Sequence, residues 1–199
     1  MGDLQKAAKA LEDRGYTVRV FSTAAEAAAW LNASIDHTTV GFGGSGTLRD
    51  MGLYDLLAEH NTVHWHWRSD DDMAARRGAM VARIYCTSVN ALSESGEMVS
   101  IDGAGNRLAG MLFGHEKVYF VVGRNKLTAD YESAVWRARN VAAPQRAQQM
   151  GRKTPCAVKA DRCYNCKSPE RICNGMVTLW QPMVGMASEV LLIDEDLGL

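Results

Sequence analysis

Thr38-Thr-Val-Gly-Phe-Gly-Gly-Ser-Gly-Thr47 joins a short strand to a glycine-rich turn. Its first half, Thr38–Phe42, has the β-branched and aromatic character of a strand. A similar strand, Tyr16–Phe21, precedes it, and a helix capped by Ser22 or Thr23 lies between the two. A strand, a helix and a strand at this spacing predict right-handed βαβ units, and therefore an α/β fold with a largely parallel sheet.

The glycine-rich turn is a candidate anion site. A helix over about residues 48–59 follows it, so that backbone N–H groups and the start of the helix would face an anion. Gly43, Gly44, Ser45 and Thr47 are therefore predicted to bind a phosphate, carboxylate or sulfate. The spacing matches neither a Walker A loop nor the usual dinucleotide fingerprint. The alternative is that the glycines only let the helix pack closely against the strand.

Polar residues follow two further predicted strands. Asn90 and Glu94 come after Ala82–Thr87, and Lys126 follows the apolar run Lys117–Val122. Ligands of open α/β sheets bind outside the carboxyl ends of the strands, so we expect one shared pocket. Its predicted lining is Gly44, Ser45, Asn90, Glu94, Asn106, Arg107 and Lys126. The alternative for the segment 87–107 is a hydrogen-bonded turn with exposed polar side chains.

Other segments complete the predicted order of elements. Thr62–Arg68 alternates as a strand does, and a strand over about residues 97–101 lies between two turns. Asp130 is expected to start a long helix that Pro144 interrupts. Glu189–Ile193 is predicted as the final strand.

Four of the five cysteines, Cys156, Cys163, Cys166 and Cys173, have the spacing C-x6-C-x2-C-x6-C. Four thiolates suit zinc or an iron–sulfur cluster, and we expect one shared centre, with a [4Fe–4S] cluster favoured over zinc. Either centre would carry a net charge of about −2. Nearby cations would offset this charge: Arg152, Lys153, Lys159, Arg162, Lys167 and Arg171. The alternatives are a redox dithiol at Cys163 and Cys166, or a metal that is lost on handling.

Length and charge exclude several classes of protein. The 199 residues fit a single domain, 1–199, with residues 152–175 as a cysteine-rich loop within it. The balance of 22 Lys and Arg against 23 Asp and Glu gives no global field toward nucleic acid or an anionic membrane. The polar N-terminus and the lack of a long apolar run predict no signal peptide or membrane span. A reducing cytoplasm is therefore the expected location, where disulfides are disfavoured.

Several of these motifs, taken together and in order, resemble the LUD (lactate-utilisation) domain family, and its YkgG-like members in particular. The resemblance covers nearly the whole chain. It is carried by Gly43–Leu48 with Gly52-Leu53, Ser88–Leu92, Gly96–Val99, Asp102–Arg107, Gly123–Lys126, Ala142–Pro144, Thr154–Cys156, Cys163–Asn174 and Asp194–Gly198.

The resemblance implies a fold and a range of functions. The expected body is a three-layer α/β/α domain related to the NagB/RpiA/CoA-transferase group, whose members act on sugar phosphates, folates or CoA thioesters. Some relatives of the family belong to bacterial systems that oxidise lactate alongside iron–sulfur partner proteins. Members limited to those systems need not carry the four-cysteine tail.

Three functions follow from the residues and the resemblance. The first is an organic-acid utilisation protein, acting as a redox accessory or oxidoreductase subunit that binds a small anionic metabolite and meets a redox partner protein. The second is an isomerase or transferase with structural zinc, in which Glu94 would be base or nucleophile and Arg107 and Lys126 would bind substrate. The third is a small-ligand sensor. A cluster absorbs visible light and zinc does not, which separates the first function from the others; the oligomeric state is left open.

Overall fold

The computed structural model describes residues 2–199, and its central layer is a parallel sheet. Each strand of this sheet runs parallel to its neighbours. In spatial order the strands are β1 (Thr17–Phe21), β10 (Ala187–Ile193), β7 (Lys117–Gly123), β4 (Ile84–Thr87), β2 (Thr39–Phe42) and β3 (Thr62–His64). The predicted α/β fold with a largely parallel sheet is confirmed.

Helices cover both faces of this sheet, which gives the predicted three layers. None of the helices within residues 2–199 is both long and apolar enough to cross a membrane. The helices are α1 (Leu4–Asp13), α2 (Ala24–Ser34), α3 (Gly46–Asp50), α4 (Leu53–Ala58), α5 (Asp72–Met80), α6 (Asn106–Leu112), α7 (Tyr131–Arg137), α8 (Ala143–Gln149) and α9 (Pro155–Lys159).

The two faces of the sheet form separate apolar cores because side chains alternate along each strand. Val118 and Phe120 of β7 pack with Leu11 of α1 on one face. Val121 of β7 packs with Leu31 of α2 on the other face. Both faces of β7 and β10 are therefore buried, which accounts for the continuous apolar runs in their sequences.

A smaller second sheet lies beyond the carboxyl ends of β4 and β7, and only one of its strands was predicted from the sequence. Its order is β8 (Leu127–Thr128), β5 (Ala91–Ser93), β6 (Met98–Asp102) and β9 (Gly175–Leu179). β6 runs antiparallel to β5 and β9, whereas β8 runs parallel to β5. Along the chain, β5 follows β4 and β8 follows β7. The second sheet therefore positions the residues that join β4 to β5 and those that join β7 to β8.

Three predicted elements differ from the structure. The helix over 48–59 is divided into α3 and α4 at Gly52, whose φ of 64° is left-handed and ends the first helix. The strand predicted for Thr62–Arg68 ends at His64. The helix that starts at Asp130 changes to a π-helical segment, Ala138–Ala142, before Pro144, which lies in the first turn of α8.

Candidate functional site

A cleft of about 510 Å³ lies at the carboxyl edge of the parallel sheet. The register places β4 between β2 and β7, so that the chain leaves three adjacent strands at this edge. The glycine-rich turn follows β2, Ser88 to Asn90 follow β4, and Lys126 ends a 3-10 turn directly after β7. The segments that were expected to converge therefore do so.

Six of the seven residues predicted to share this pocket line the cleft: Gly44, Ser45, Asn90, Asn106, Arg107 and Lys126. Gly43 and Thr47, also predicted as ligand-binding, are not among its lining residues. Gly43 packs tightly against neighbouring side chains: a Cβ at this position would lie 2.9 Å from Thr87 Oγ1 and 3.0 Å from Arg107 Cγ. Close packing thus explains Gly43, whereas Gly44 and Ser45 face the cleft. That these residues bind a ligand stays a prediction.

Lys126 is a buried cation with neutral partners. Its residue surface is 3% exposed, and Nζ donates hydrogen bonds to Thr47 Oγ1 at 2.7 Å and Ser88 Oγ at 2.9 Å. It makes no salt bridge within residues 2–199. Burial, with the nearby positive charges of Arg137 and Arg107, lowers the pKa of Lys126 to about 7.

Arg107 is the second buried cation of the cleft, and it too has no salt bridge among the described residues. Its Nη1 donates to Ser88 O at 2.9 Å, and Nη2 donates to Asn90 Oδ1 at 2.9 Å and to Ile101 O. Asp102 Oδ2 accepts only from the Arg107 backbone N–H, at 3.1 Å. Burial lowers the pKa of Arg107, with Asp102 acting in the opposite direction. Arg107 is therefore held by hydrogen bonds to neutral acceptors, without a salt bridge from its guanidinium to a carboxylate of residues 2–199.

The lining of the cleft is strongly cationic although the whole chain is nearly neutral. Among the lining residues, seven cationic side chains face only two carboxylate side chains, Asp50 and Asp102. The cations are Arg49, Arg76, Arg107, Lys126, Arg146, Arg152 and Arg171. Such a concave surface attracts anions and strengthens their binding once water is excluded.

The glycine-rich turn adds free backbone donors. Gly43 N–H is bonded to Cys86 O, and Leu48 N–H is bonded to the Ser45 hydroxyl. The N–H groups of Gly44 and Gly46 have no acceptor within residues 2–199. Because α3 has only five residues, these amides and the nearby cations, rather than a helix dipole, are what an anion would meet.

Two parts of the cleft were not anticipated from the sequence. Trp67 forms an aromatic wall, and the Arg146 guanidinium lies 4.8 Å from the centre of its ring. The last residues of the chain close another side: Leu197 O accepts from the Thr47 hydroxyl at 3.2 Å, and Gly198 N–H donates to Asp50 Oδ2 at 3.1 Å. An alternating run around Trp67 could signal only a strand, and no local pattern pairs residue 198 with residue 50.

Glu94 lies outside the cleft, so the prediction that it lines the shared pocket is wrong. Its carboxylate accepts from the Asp3 backbone N–H at 2.9 Å and from Lys6 Nζ at 2.8 Å, beside α1. The hydrogen bond from Lys6 is the largest cause of the lowered pKa of Glu94. β5 continues to Ser93, which pairs with Thr128 of β8. Glu94 therefore follows the end of this short strand and lies away from the cleft.

The cysteine-rich loop, residues 152–175, runs along the rim of the cleft. Its residues Arg152, Arg171, Ile172 and Asn174 line the cleft. Asn174 N–H donates to Asp102 O at 2.9 Å, which ties the end of the loop to the turn that precedes Arg107. Arg171 shapes the loop from within by donating to Cys166 O at 2.8 Å and to Cys173 O at 2.9 Å.

The thiols of this loop are free and half-buried. Cys163 Sγ accepts from the Asn165 backbone N–H at 3.3 Å, and Arg139 Nη2 lies 4.0 Å from it. Burial raises the pKa of Cys173, whereas Arg171 lowers it. Within residues 2–199 no three His, Cys, Asp or Glu side chains are grouped closely enough to hold a metal ion. Four thiols suit a soft metal as donors, but in this structure they are not gathered around one point.

Comparisons with known proteins place this fold in a family. A model of the LUD domain matches residues 4–187. A crystal structure of a DUF162 family protein from Deinococcus radiodurans superimposes with a TM-score of 0.55 at 12% identity, covering 96% of this chain and 95% of that one. At this identity the likeness concerns the fold alone. No curated protein matches the chain.

Proposed function

Because the chain belongs to the LUD domain family, we propose that it binds a small organic-acid anion in the cationic cleft and acts in organic-acid utilisation as a redox accessory or oxidoreductase subunit. The family is linked to lactate-utilisation proteins, which supports a general role of this kind. A YkgG-like assignment with the four-cysteine motif, a cytoplasmic location and a redox partner protein belong to the same proposal.

One observation carries the proposal: Lys126 and Arg107 are both buried in the cleft, each bonded to Ser88, without a salt bridge to a carboxylate in the described residues. Burying an unpaired charge is costly, so the fold retains an unfavourable arrangement that an anionic ligand would relieve. The free amides of the glycine-rich turn and the cationic lining would add to the binding of a carboxylate.

The redox part of the proposal rests on the cysteine loop. Cys156, Cys163, Cys166 and Cys173 would hold an iron–sulfur cluster, which supplies one-electron transfer when bound. Arg139 near Cys163, and the N–H group that Asn165 donates to the same sulfur, would stabilise a thiolate. Cys156 lies in α9, whereas the other three cysteines lie between α9 and β9 in a segment without helix or strand, so metal binding would bring their sulfurs toward Cys156.

A second candidate function is supported by the size of the cleft. About 510 Å³ and an aromatic wall at Trp67 offer more room than a small organic acid fills. A sugar phosphate or CoA ester would use this room, and the cysteines would then hold structural zinc. Turnover of such a substrate by the purified protein would favour this alternative.

Calorimetric titration with L-lactate, pyruvate and inorganic phosphate tests the binding proposal. Lys126→Met should weaken the binding of the preferred anion by about 1–3 kcal/mol, the usual contribution of a charge-assisted hydrogen bond. Lys6→Met is the matched control, since Lys6 is an exposed lysine that pairs with Glu94 outside the cleft. Equal affinities in wild type and Lys126→Met would contradict the proposal.

A further inference from the structure

Lys126 has the setting of a reactive amine, and the inference drawn from it rests on the proposed function. It is the one lysine among the described residues that line the cleft. Two of its three ammonium hydrogens are used by Thr47 and Ser88, and the third has no acceptor in residues 2–199. One position on nitrogen is therefore available to a bound molecule.

The surroundings of Lys126 favour the neutral amine. With a pKa of about 7, caused first by burial and then by Arg137 and Arg107, a large fraction of Lys126 has a free electron pair at neutral pH. Lys6, by contrast, has its pKa raised by the hydrogen bond to Glu94. Desolvated lysines beside another cation are the ones that attack carbonyl groups.

We propose that Lys126 Nζ forms an imine with the carbonyl carbon of a 2-oxo acid held in the cleft. The nitrogen electron pair forms the N–C bond while the C=O pair moves onto oxygen, which takes up the proton that nitrogen loses. The resulting hydroxyl then leaves as water with one further proton, the nitrogen electron pair forms C=N, and the proton still on nitrogen replaces the one that was donated. One water is released and no oxidant or reductant is needed.

Two hydroxyls are placed to move these protons. Ser88 Oγ lies 2.9 Å from Lys126 Nζ, and its own hydrogen has no acceptor within the described residues. Thr47 Oγ1 lies 2.7 Å from the same nitrogen, but its hydrogen is donated to Leu197 O. Ser88 is therefore the group that can give a proton to the leaving hydroxyl, while Thr47 holds the amine in position.

The charge of the cleft selects the class of carbonyl compound. A 2-oxo acid has a carboxylate next to its carbonyl, and the free amides of Gly44 and Gly46 and the unpaired charge of Arg107 suit that carboxylate. A 2-hydroxy acid such as lactate presents the same carboxylate without a carbonyl. Lactate is thus a matched ligand that binds without forming the bond.

Reductive trapping tests the inference. The protein is incubated with pyruvate and sodium cyanoborohydride, and its mass and peptide map are measured, with lactate in a parallel sample. We expect one stable adduct per chain, on Lys126, with pyruvate only. Lys126→Arg should give no adduct, and Lys6→Arg should give the wild-type adduct. Circular dichroism and a thermal unfolding curve of each variant confirm that it is folded.

The outcomes separate the two proposals. Binding of lactate and pyruvate without a trapped adduct would overturn the imine and leave the proposed function intact. Adducts spread over exposed lysines, unchanged in Lys126→Arg, would overturn it as well. Failure of both ligands to bind wild-type protein would overturn the proposed function and this inference with it.

Discussion

The cationic end of the cleft and the cysteine loop differ in what holds their side chains in place. Lys126 and Arg107 are fixed by hydrogen bonds to groups that follow neighbouring strands of one sheet. Cys163, Cys166 and Cys173 lie between α9 and β9, where the chain has no helix or strand, and Cys156 lies in the short helix α9. The cationic side chains are therefore positioned by the parallel sheet, whereas the cysteines lie outside it.

The difference indicates two ways of building a site. Parallel strands in register bring distant residues to one edge without any ligand, so the cleft is organised in advance. The loop depends on left-handed backbone at Ala160 and Asn165 and on Arg171 for its shape. The metal site proposed for this loop would take its final geometry from the metal, because metal binding and folding are coupled. The cleft should therefore tolerate loss of the cysteines.

The largest expected effect is the loss of metal on replacing the four loop cysteines with serine. We expect all bound iron to disappear, together with visible absorbance, because serine is not a soft ligand. The affinity of the cleft for lactate should change by less than about 0.5 kcal/mol, as for independent sites. Metal analysis, an absorption spectrum and titration of anaerobically purified protein measure these quantities.

Cys86→Ala is the control for this experiment, because Cys86 is buried in β4 and should leave the metal unchanged. Stoichiometric zinc without iron in wild-type protein would reject the cluster and favour the second candidate function. Metal retained by the serine variant would place its ligands elsewhere.

The next effect concerns stability within the cleft. Arg107→Met should lower the free energy of unfolding by roughly 2–3 kcal/mol, because Ser88 O, Asn90 Oδ1 and Ile101 O lose a charged donor. Arg146→Met is the matched control: Arg146 lines the same cleft but packs on Trp67 and bonds only Gln149. Urea unfolding measures the loss of stability in each variant. Equal losses would mean that the hydrogen bonds of Arg107 do not stabilise the fold more than the packing of Arg146 does.

These residues show what the sequence could and could not predict. The strands β2, β4 and β7 were predicted from their β-branched and apolar residues, and the alternation of strand and helix predicted that the sheet is parallel, which placed Gly44, Arg107 and Lys126 at one edge. Glu94 was misplaced because three residues of β5 carry it away from that edge. Local patterns predict elements well, whereas the second sheet depends on pairing between β6 and β9, which are far apart in sequence.

The cationic lining was also hidden from composition. A formal net charge of −1 excludes a global field, yet the fold gathers seven cationic side chains into the cleft with only two carboxylate side chains. Arg146, Arg152 and Arg171 come from α8 and the loop, and nothing in their spacing relates them to Lys126. The tertiary fold, and no local pattern, brings them together.

A smaller effect is the pH dependence of anion binding. Lys126 should be charged below pH 7 and lose its proton as the pH rises through about 7. Since a bound anion favours the charged form, affinity for lactate should fall roughly fivefold to tenfold between about pH 6 and 9. Titrations across this range measure it, and Lys126→Met should show a flat profile. A flat wild-type profile would contradict the assignment.

The lowered pKa of Lys126 also determines in which direction the stability of the protein changes with pH. The folded-state pKa lies below the ordinary value of 10.5, so the unfolded chain binds the proton more tightly. The penalty for burying the charge is therefore fully present below about pH 7, and it disappears as the pH rises from there toward the unfolded value. Lys126→Met should consequently stabilise the protein most below pH 7, in contrast to Arg107→Met.

The smallest expected effect is that of Glu94→Gln, which tests whether the cleft ends where the structure places its boundary. Glu94 joins the start of α1 to the second sheet through Asp3 and Lys6 and does not line the cleft. Its replacement should leave the lactate affinity and the pyruvate adduct at Lys126 unchanged, and it should only loosen the contact with α1. Exposed ion pairs contribute little, so a small change in thermal midpoint is expected. A loss of lactate binding or of the adduct in Glu94→Gln, with Lys6→Gln unaffected, would show that the carboxylate itself acts in the site and that the cleft is larger than the described lining.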